Sequence, residues 1–248
     1  MMDEALYASI LRLSLDRFLF SLGFLSAFLA IISSFKSRIE TLNTFKRLDA
    51  VDEFLRKNGA NLSFSKRRYF FGALFRLGLL TVGVALEHFM ITPVDSWDRV
   101  IFFNFQFFPL YVSNITEYQH NVLLDTIQKR FNFLKKELSS VKKRPSSFRR
   151  QGEVESLLKL YDYLVQCCGT INEIYGKQIL LFVTSIFLMT TANADYVAEG
   201  IIQLVLNRGG RPIGELFTFG YWAIIRLVEL WSVVDTCEAV VQEVYYTV

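Results

Sequence analysis

The sequence is short of the residues that hold covalent or metal-bound scaffolds together. It has three cysteines, Cys167, Cys168 and Cys237, and two histidines, His88 and His120. Neighbouring cysteines cannot easily bridge each other, and no Cys-x-x-Cys spacing exists. Neither a disulfide framework nor a metal site is expected, and the thiols read as buried or juxtamembrane groups kept reduced. There are only four prolines, and the net charge is just +3. No Lys/Arg run alternates with aromatics in the manner of a strand-binding groove, so nucleic acid is not an expected partner. No phosphate-cradling glycine motif is present, and no cofactor is expected.

Apolar and aromatic residues are abundant. Of 248 residues, 52% are hydrophobic and 24 are phenylalanine. Residues 153–196 carry the clearest pattern. Leu157, Leu158, Tyr161, Leu164, Val165 and Cys168 recur at helical spacing among Glu155, Lys159 and Asp162. From Ile179 to Ala192 there is then no charge at all. A single long helix that starts in water and ends in lipid has this pattern. About 20 residues cross a bilayer core, which 174–195 supplies if Lys177 snorkels.

Four more spans surround it. The first, 14–35, has basic residues on both sides and no small-residue cleavage site, so it reads as a span rather than a signal peptide. The second is 69–91, with Arg76 in snorkelling reach of its basic end. A short acidic connection, 92–98, follows, with Pro93 and Trp97 as an interface anchor. The third, 99–122, becomes polar in its inner half and continues as a helix beyond the bilayer. Pro109 is placed to kink it. The fifth, 213–234, follows a predicted loop at 196–214 and contains Arg226 and Glu229. Segments 36–68 and 123–173 read as cytosolic helices. In the first, Ile39, Leu42, Phe45, Leu48, Val51 and Leu55 form an apolar stripe that Asn58-Gly59 ends. The expected fold is therefore all-α: one polytopic transmembrane helical bundle over 1–248, with long helices extending into cytosol.

Charge orients it. Nine Lys/Arg lie in 36–68 and nine in 129–150, against none in 92–98. The positive-inside rule puts both basic stretches in cytosol. The tail, 235–248, has Asp235, Glu238 and Glu243 and no Lys/Arg, so its side rests on alternation alone. The sequons at Asn61 and Asn114 would then lie in cytosol and membrane, away from glycosylation.

The run from Leu160 to Val197 resembles the fifth transmembrane region of insect gustatory receptors. That family shows a Leu/Tyr-rich cytosolic helix, then Ile-Asn, then Phe/Tyr-Gly before a Leu-rich run. Here these are Leu160-Tyr161, Ile171-Asn172 and Tyr175-Gly176. Arg130 to Leu138 is similar to the end of the family's fourth helix, Arg47 to Gly59 to its first intracellular loop, and Trp231 to Glu243 to the inner end of its sixth. In a seven-helix family this order maps the chain onto helices two through six. The pore-lining seventh would be missing, and the chain by itself would not be expected to conduct.

The resemblance implies a ligand-gated cation channel subunit in the plasma membrane of a sensory neuron, gated by a small-molecule tastant and assembled as a homo- or hetero-tetramer. Helices 39–57 and 153–173 would form the subunit contacts. It also implies a ligand pocket among the outer halves of the helices. Glu87 and His88, Asn104 and Gln106, Thr190 and Asn193, and Tyr221 with Trp222 lie near that depth. Polar groups in lipid are costly and usually face a cavity or another helix. Arg226 and Glu229, three apart, share a face and can pair. Glu117, His120 and Asp125 form an inner polar cluster facing other helices or water.

Two other readings compete. A small-molecule transporter would show an internal repeat or helices interrupted at the midplane, and no repeat is visible. A membrane acyltransferase would rest on His120-x4-Asp125 alone. Five residues turn a helix by about 140°, so those side chains diverge. The chain is not expected to be an enzyme.

Overall fold

The computed structural model describes residues 2–57, 66–90, 97–143, 148–206 and 213–246. The Asn58-Gly59 stop, the Asn61 sequon, Pro93 and the arginines at 208 and 211 lie outside them, as do the side chains of Trp97, Asn104 and Gln106. Six helices follow in order: α1 (Met2–Lys36), α2 (Arg38–Lys57), α3 (Lys66–Met90), α4 (Trp97–Lys143), α5 (Phe148–Val205) and α6 (Ile213–Tyr246). Among the described residues only Ser37 and Leu206 are not helical. The all-α expectation holds.

One helix differs from expectation in its extent: α5 does not end near residue 195 but continues for three more turns. Tyr196 stacks on Phe219, ring centroids 4.9 Å apart, and Gly200 lies directly against the Leu216 side chain. Packing against α6 thus keeps helical a stretch whose composition looked loop-like. At 58 residues, α5 is about 87 Å long. Pro109 lies inside α4, which is continuous from Trp97 to Lys143. Two described helices are long and apolar enough to cross a membrane alone, Arg67–Met90 and Gly152–Val205. The pair of α1 and α2 makes a third if taken together, and it bends by 64°. Within α4 and α6, Asn114, Glu117, Arg226 and Glu229 are buried and pair with one another or with α3.

At the bend, backbone bonding continues through Ser37, whose N–H reaches the Ser33 carbonyl at 2.8 Å. Its hydroxyl also donates to that carbonyl, at 2.6 Å.

The helices divide into two compact units. Unit 1 comprises 1–31, 71–117 and 178–231; unit 2 comprises 32–70, 118–177 and 232–248. Unit 1 buries polar groups, including Asn114, Thr116, Glu117, Gln178, Thr218, Arg226 and Glu229. Its exposed residues include Phe28, Phe71, Phe75, Phe187, Phe217 and Ile224. Around Leu80, Val84 and Trp222 it also has an apolar cluster, with Phe107, Leu110 and Tyr111 packed against it.

Unit 2 has an aliphatic core. Leu48, Val51 and Leu55 of α2, Ile127, Phe131 and Leu134 of α4, Leu164 and Ile171 of α5 and Val240 of α6 are buried. Arg130, nearly buried, holds Asp52 through two bonds of 2.7 and 2.5 Å. The acidic tail also belongs here. Tyr161 donates to the Val244 carbonyl at 2.9 Å, and Lys135 pairs with Glu243 at 3.3 Å. The tail therefore packs with the second basic stretch, at Lys135, and with α5, at Tyr161. The expected stripe of α2 is split, however. Leu48, Val51 and Leu55 are buried, whereas Ile39, Leu42 and Phe45 are exposed. At 100° per residue, positions 39 and 42 point roughly 150° away from the stripe that 48, 51 and 55 share.

Candidate functional site

In unit 1, α3, α4 and α6 meet around Trp222. Its side chain is buried because α3 offers no side chain at Gly83. A Cβ there would meet the Trp222 and Tyr221 rings at 2.9 Å. The indole N–H donates to Glu87 at 2.9 Å. The ring stacks on Phe107, centroids 6.2 Å apart. One helical turn along α6, the Arg226 guanidinium lies 5.5 Å from the Trp222 ring centroid, a cation–π distance. Arg226 also donates to Glu229 at 2.5 Å, and Glu229 accepts from Asn114 at 2.8 Å. The Tyr221 hydroxyl donates to the Leu79 carbonyl at 2.7 Å. Glu87, Trp222, Arg226, Glu229 and Asn114 thus form one unbroken chain of polar contacts. A buried network whose members are paired specifies one arrangement of its helices.

Of the eight residues expected at a ligand pocket, three meet here: Glu87, Tyr221 and Trp222. His88 is half-buried, its ring edge-on to Phe89 at 5.7 Å. Thr190 has a buried hydroxyl with no hydrogen-bond partner among the described residues, and Asn193 is half-buried. The structure does not bring Thr190 and Asn193 into any described hydrogen bond with the Trp222 group. The side chains of Asn104 and Gln106 fall outside the described residues.

A second polar centre was missed from sequence. Arg76, expected to snorkel, instead makes a two-point ion pair with Glu117, at 2.7 and 2.8 Å. Glu117 is fully buried, and a single guanidinium nitrogen, Nη1 of Arg76, reaches both of its oxygens. The signal was available as one charge inside each of two apolar runs, but their separation of 41 residues hid the partnership. Beside Glu117, the side chains of Ser26, Ser113, Thr116 and Gln178 line a cavity of about 10 Å³. That is room for a single water with polar partners, not for an organic ligand.

In unit 2 the inner cluster comes apart. Asp125 accepts from Tyr69 at 2.6 Å and from Lys129 at 2.5 Å. His120 packs its ring near Tyr175, centroids 5.7 Å apart. The two have different partners, so the His-x4-Asp spacing assembles no catalytic pair. Burial works against the Lys129 charge, but hydrogen bonds and attraction to Asp125 and Tyr69 outweigh it and hold the ammonium above its ordinary value. Burial pushes the Cys237 thiol up, which keeps it protonated and unreactive. Among the described residues, no three His, Cys, Asp or Glu side chains gather to hold a metal ion.

The chain belongs to the 7tm chemosensory receptor family, whose sequence model matches residues 6–248. This agrees with the gustatory-receptor resemblance of its motifs, and it makes the protein a membrane chemoreceptor of a family that is not enzymatic. No individual curated protein matches the chain.

Proposed function

We propose that this chemoreceptor is a gustatory receptor: a subunit of a ligand-gated cation channel, acting as one membrane domain, that detects small-molecule tastants at the plasma membrane of sensory neurons. The observation that carries the ligand-site reading is the Glu87–Trp222 contact, a half-buried carboxylate bonded to a buried indole within expected spans. An aromatic face beside a charge and a hydrogen-bond acceptor is a surface that small organic molecules bind. His88, Asn104, Gln106, Thr190, Asn193 and Tyr221 complete the proposed lining. Trp222 now fills the space it would share with a ligand. Binding therefore selects a conformation in which the indole has moved, and works only by preferring that state. Subunits meet as a tetramer through the cytosolic helices, foremost 153–173, where Leu158, Tyr163 and Val165 are exposed.

The test is a chimera carrying this chain joined to the pore helix of a conducting relative, recorded under a panel of tastants. Ligand-evoked current is expected, reduced more than tenfold by Trp222→Ala with surface expression unchanged. A chimera that reaches the surface and is gated by nothing in the panel would sink the reading. Uptake of labelled solute without current would favour a transporter instead.

A further inference from the structure

The exposed face at the start of α2 fits a lipid surface. Ile39 is 72% exposed and Leu42 52%, and Phe35, just before the bend, is 78% exposed. Arg38, Ile39, Leu42 and Lys46 lie within a 100° arc of the α2 surface, and both basic residues are exposed. Lys36 adds a third exposed basic group at the end of α1. Further along the same arc the character changes, with Asp49 and Glu53 exposed and Glu53 paired to Lys57 at 2.9 Å. This arc therefore starts apolar and basic and becomes acidic within about three turns.

The opposite side of α2 is already occupied, because Leu48, Val51 and Leu55 face the core of unit 2. Among the described residues, Ile39 and Leu42 both stay more than half exposed. α2 departs from the preceding apolar helix by 64° at Ser37, so with α1 crossing the bilayer α2 turns toward the membrane plane. A helix that leaves a span at that angle has its first turns at headgroup depth. There, apolar side chains enter the acyl boundary and lysine or arginine stems snorkel to phosphate.

We infer that the first two turns of α2, through Ile39 and Leu42 with Lys36, Arg38 and Lys46, form a docking face for the anionic lipid headgroups of the cytosolic leaflet. Basic residues beside a span are attracted by that leaflet's negative potential. The acidic turns at Asp49 and Glu53 are repelled by the same surface, so the contact is confined to the helix start. This is a lipid contact, and it stands whether or not the chain gates ions.

The test uses the full chain in phosphatidylcholine vesicles, with and without phosphatidylserine. A nitroxide is placed at Leu42→Cys or Glu53→Cys, with Cys167, Cys168 and Cys237 replaced by alanine. Collisions with oxygen, which concentrates in lipid, are compared with those of a water-soluble nickel chelate. At position 42 oxygen should win, and more so with phosphatidylserine; at position 53 the chelate should win in both membranes. Neutralising Lys36, Arg38 and Lys46 to glutamine should remove the phosphatidylserine increment while leaving position 53 unchanged. Equal access of the chelate to positions 42 and 53 would overturn the inference. So would shielding of position 42 from both reagents, which would mean that a second copy covers it. A phosphatidylserine increment that survives the triple substitution would overturn the role of the basic residues.

Discussion

One unit of this protein is polar inside and phenylalanine-rich outside; the other is aliphatic inside and charged outside. The contrast lies in the same helices, since α4, α5 and α6 each contribute to both units. In unit 1, Phe75 is 67% exposed while Glu117 is 0%. In unit 2, Leu164 and Phe131 are 0% exposed while Glu155 and Lys159 pair on the surface at 2.9 Å. Only a change of solvent explains why one chain follows both rules. In lipid, apolar surface gains nothing from burial, so contacts between helices come from polar pairs and close packing. In water, apolar burial drives folding at about 25 cal/mol per Å².

The strongest way to break the comparison is to orphan a charge in unit 1. Glu229→Ala leaves Arg226 buried without its carboxylate and should destabilise by about 3–5 kcal/mol. Thermal unfolding in detergent would read it, and a loss under 1 kcal/mol would mean that water reaches Arg226. Replacing Arg226 and Glu229 together by leucine should restore most of that stability, because the penalty belongs to the unpaired charge.

Next comes a matched pair of surface substitutions. Phe75→Asp places a charge where unit 1 meets lipid and should cost about 2–3 kcal/mol. Val241→Asp, at a residue 50% exposed in unit 2, should stay within about 0.5 kcal/mol. Folded yield from native membranes would separate them, and equal losses would remove the two-solvent explanation.

A smaller effect is expected at Gly83→Val, which forces a side chain into the Trp222 and Tyr221 rings. Overpacking of this kind costs about 1–3 kcal/mol, and tryptophan fluorescence would report the displaced indole. The smallest is Lys129→Met. Its pair with Asp125 is 42% and 37% exposed, so solvent screening limits its value to less than about 1 kcal/mol. Because the ammonium is held above its usual value, its contribution is complete below the ordinary lysine pKa and is lost only as pH rises through the raised one. Unfolding midpoints measured between neutral pH and mild alkali should therefore not separate Lys129→Met from the parent further as pH rises.

Much of this was legible beforehand, and specific residues show why. The Arg226–Glu229 pair is local, three residues on one helix, and helical geometry alone announces it. The positive-inside signal is compositional and needs no contacts. The Glu117–Arg76 pair joins two helices, and nothing in either segment names the other. Ile39 and Leu42 looked like core because their spacing continues the stripe of Leu48, Val51 and Leu55. Their actual direction depends on which arc of α2 meets α4 and α5. The Trp222 site was half visible: the polar residues could be named, but not that Gly83 admits the indole or that Glu87 receives it.

What the sequence determined by itself is what local physics dictates. Runs of apolar residues make helices, unpaired charge sorts segments between lipid and water, and an ordered set of motifs marks the chemoreceptor family. Only the tertiary structure decided which buried charges are partners, where α5 ends, and which face of α2 is left open. Those depend on side chains that meet across tens to more than a hundred residues, as Asn114 and Glu229 do. A pairing of that kind comes into being only when the helices pack.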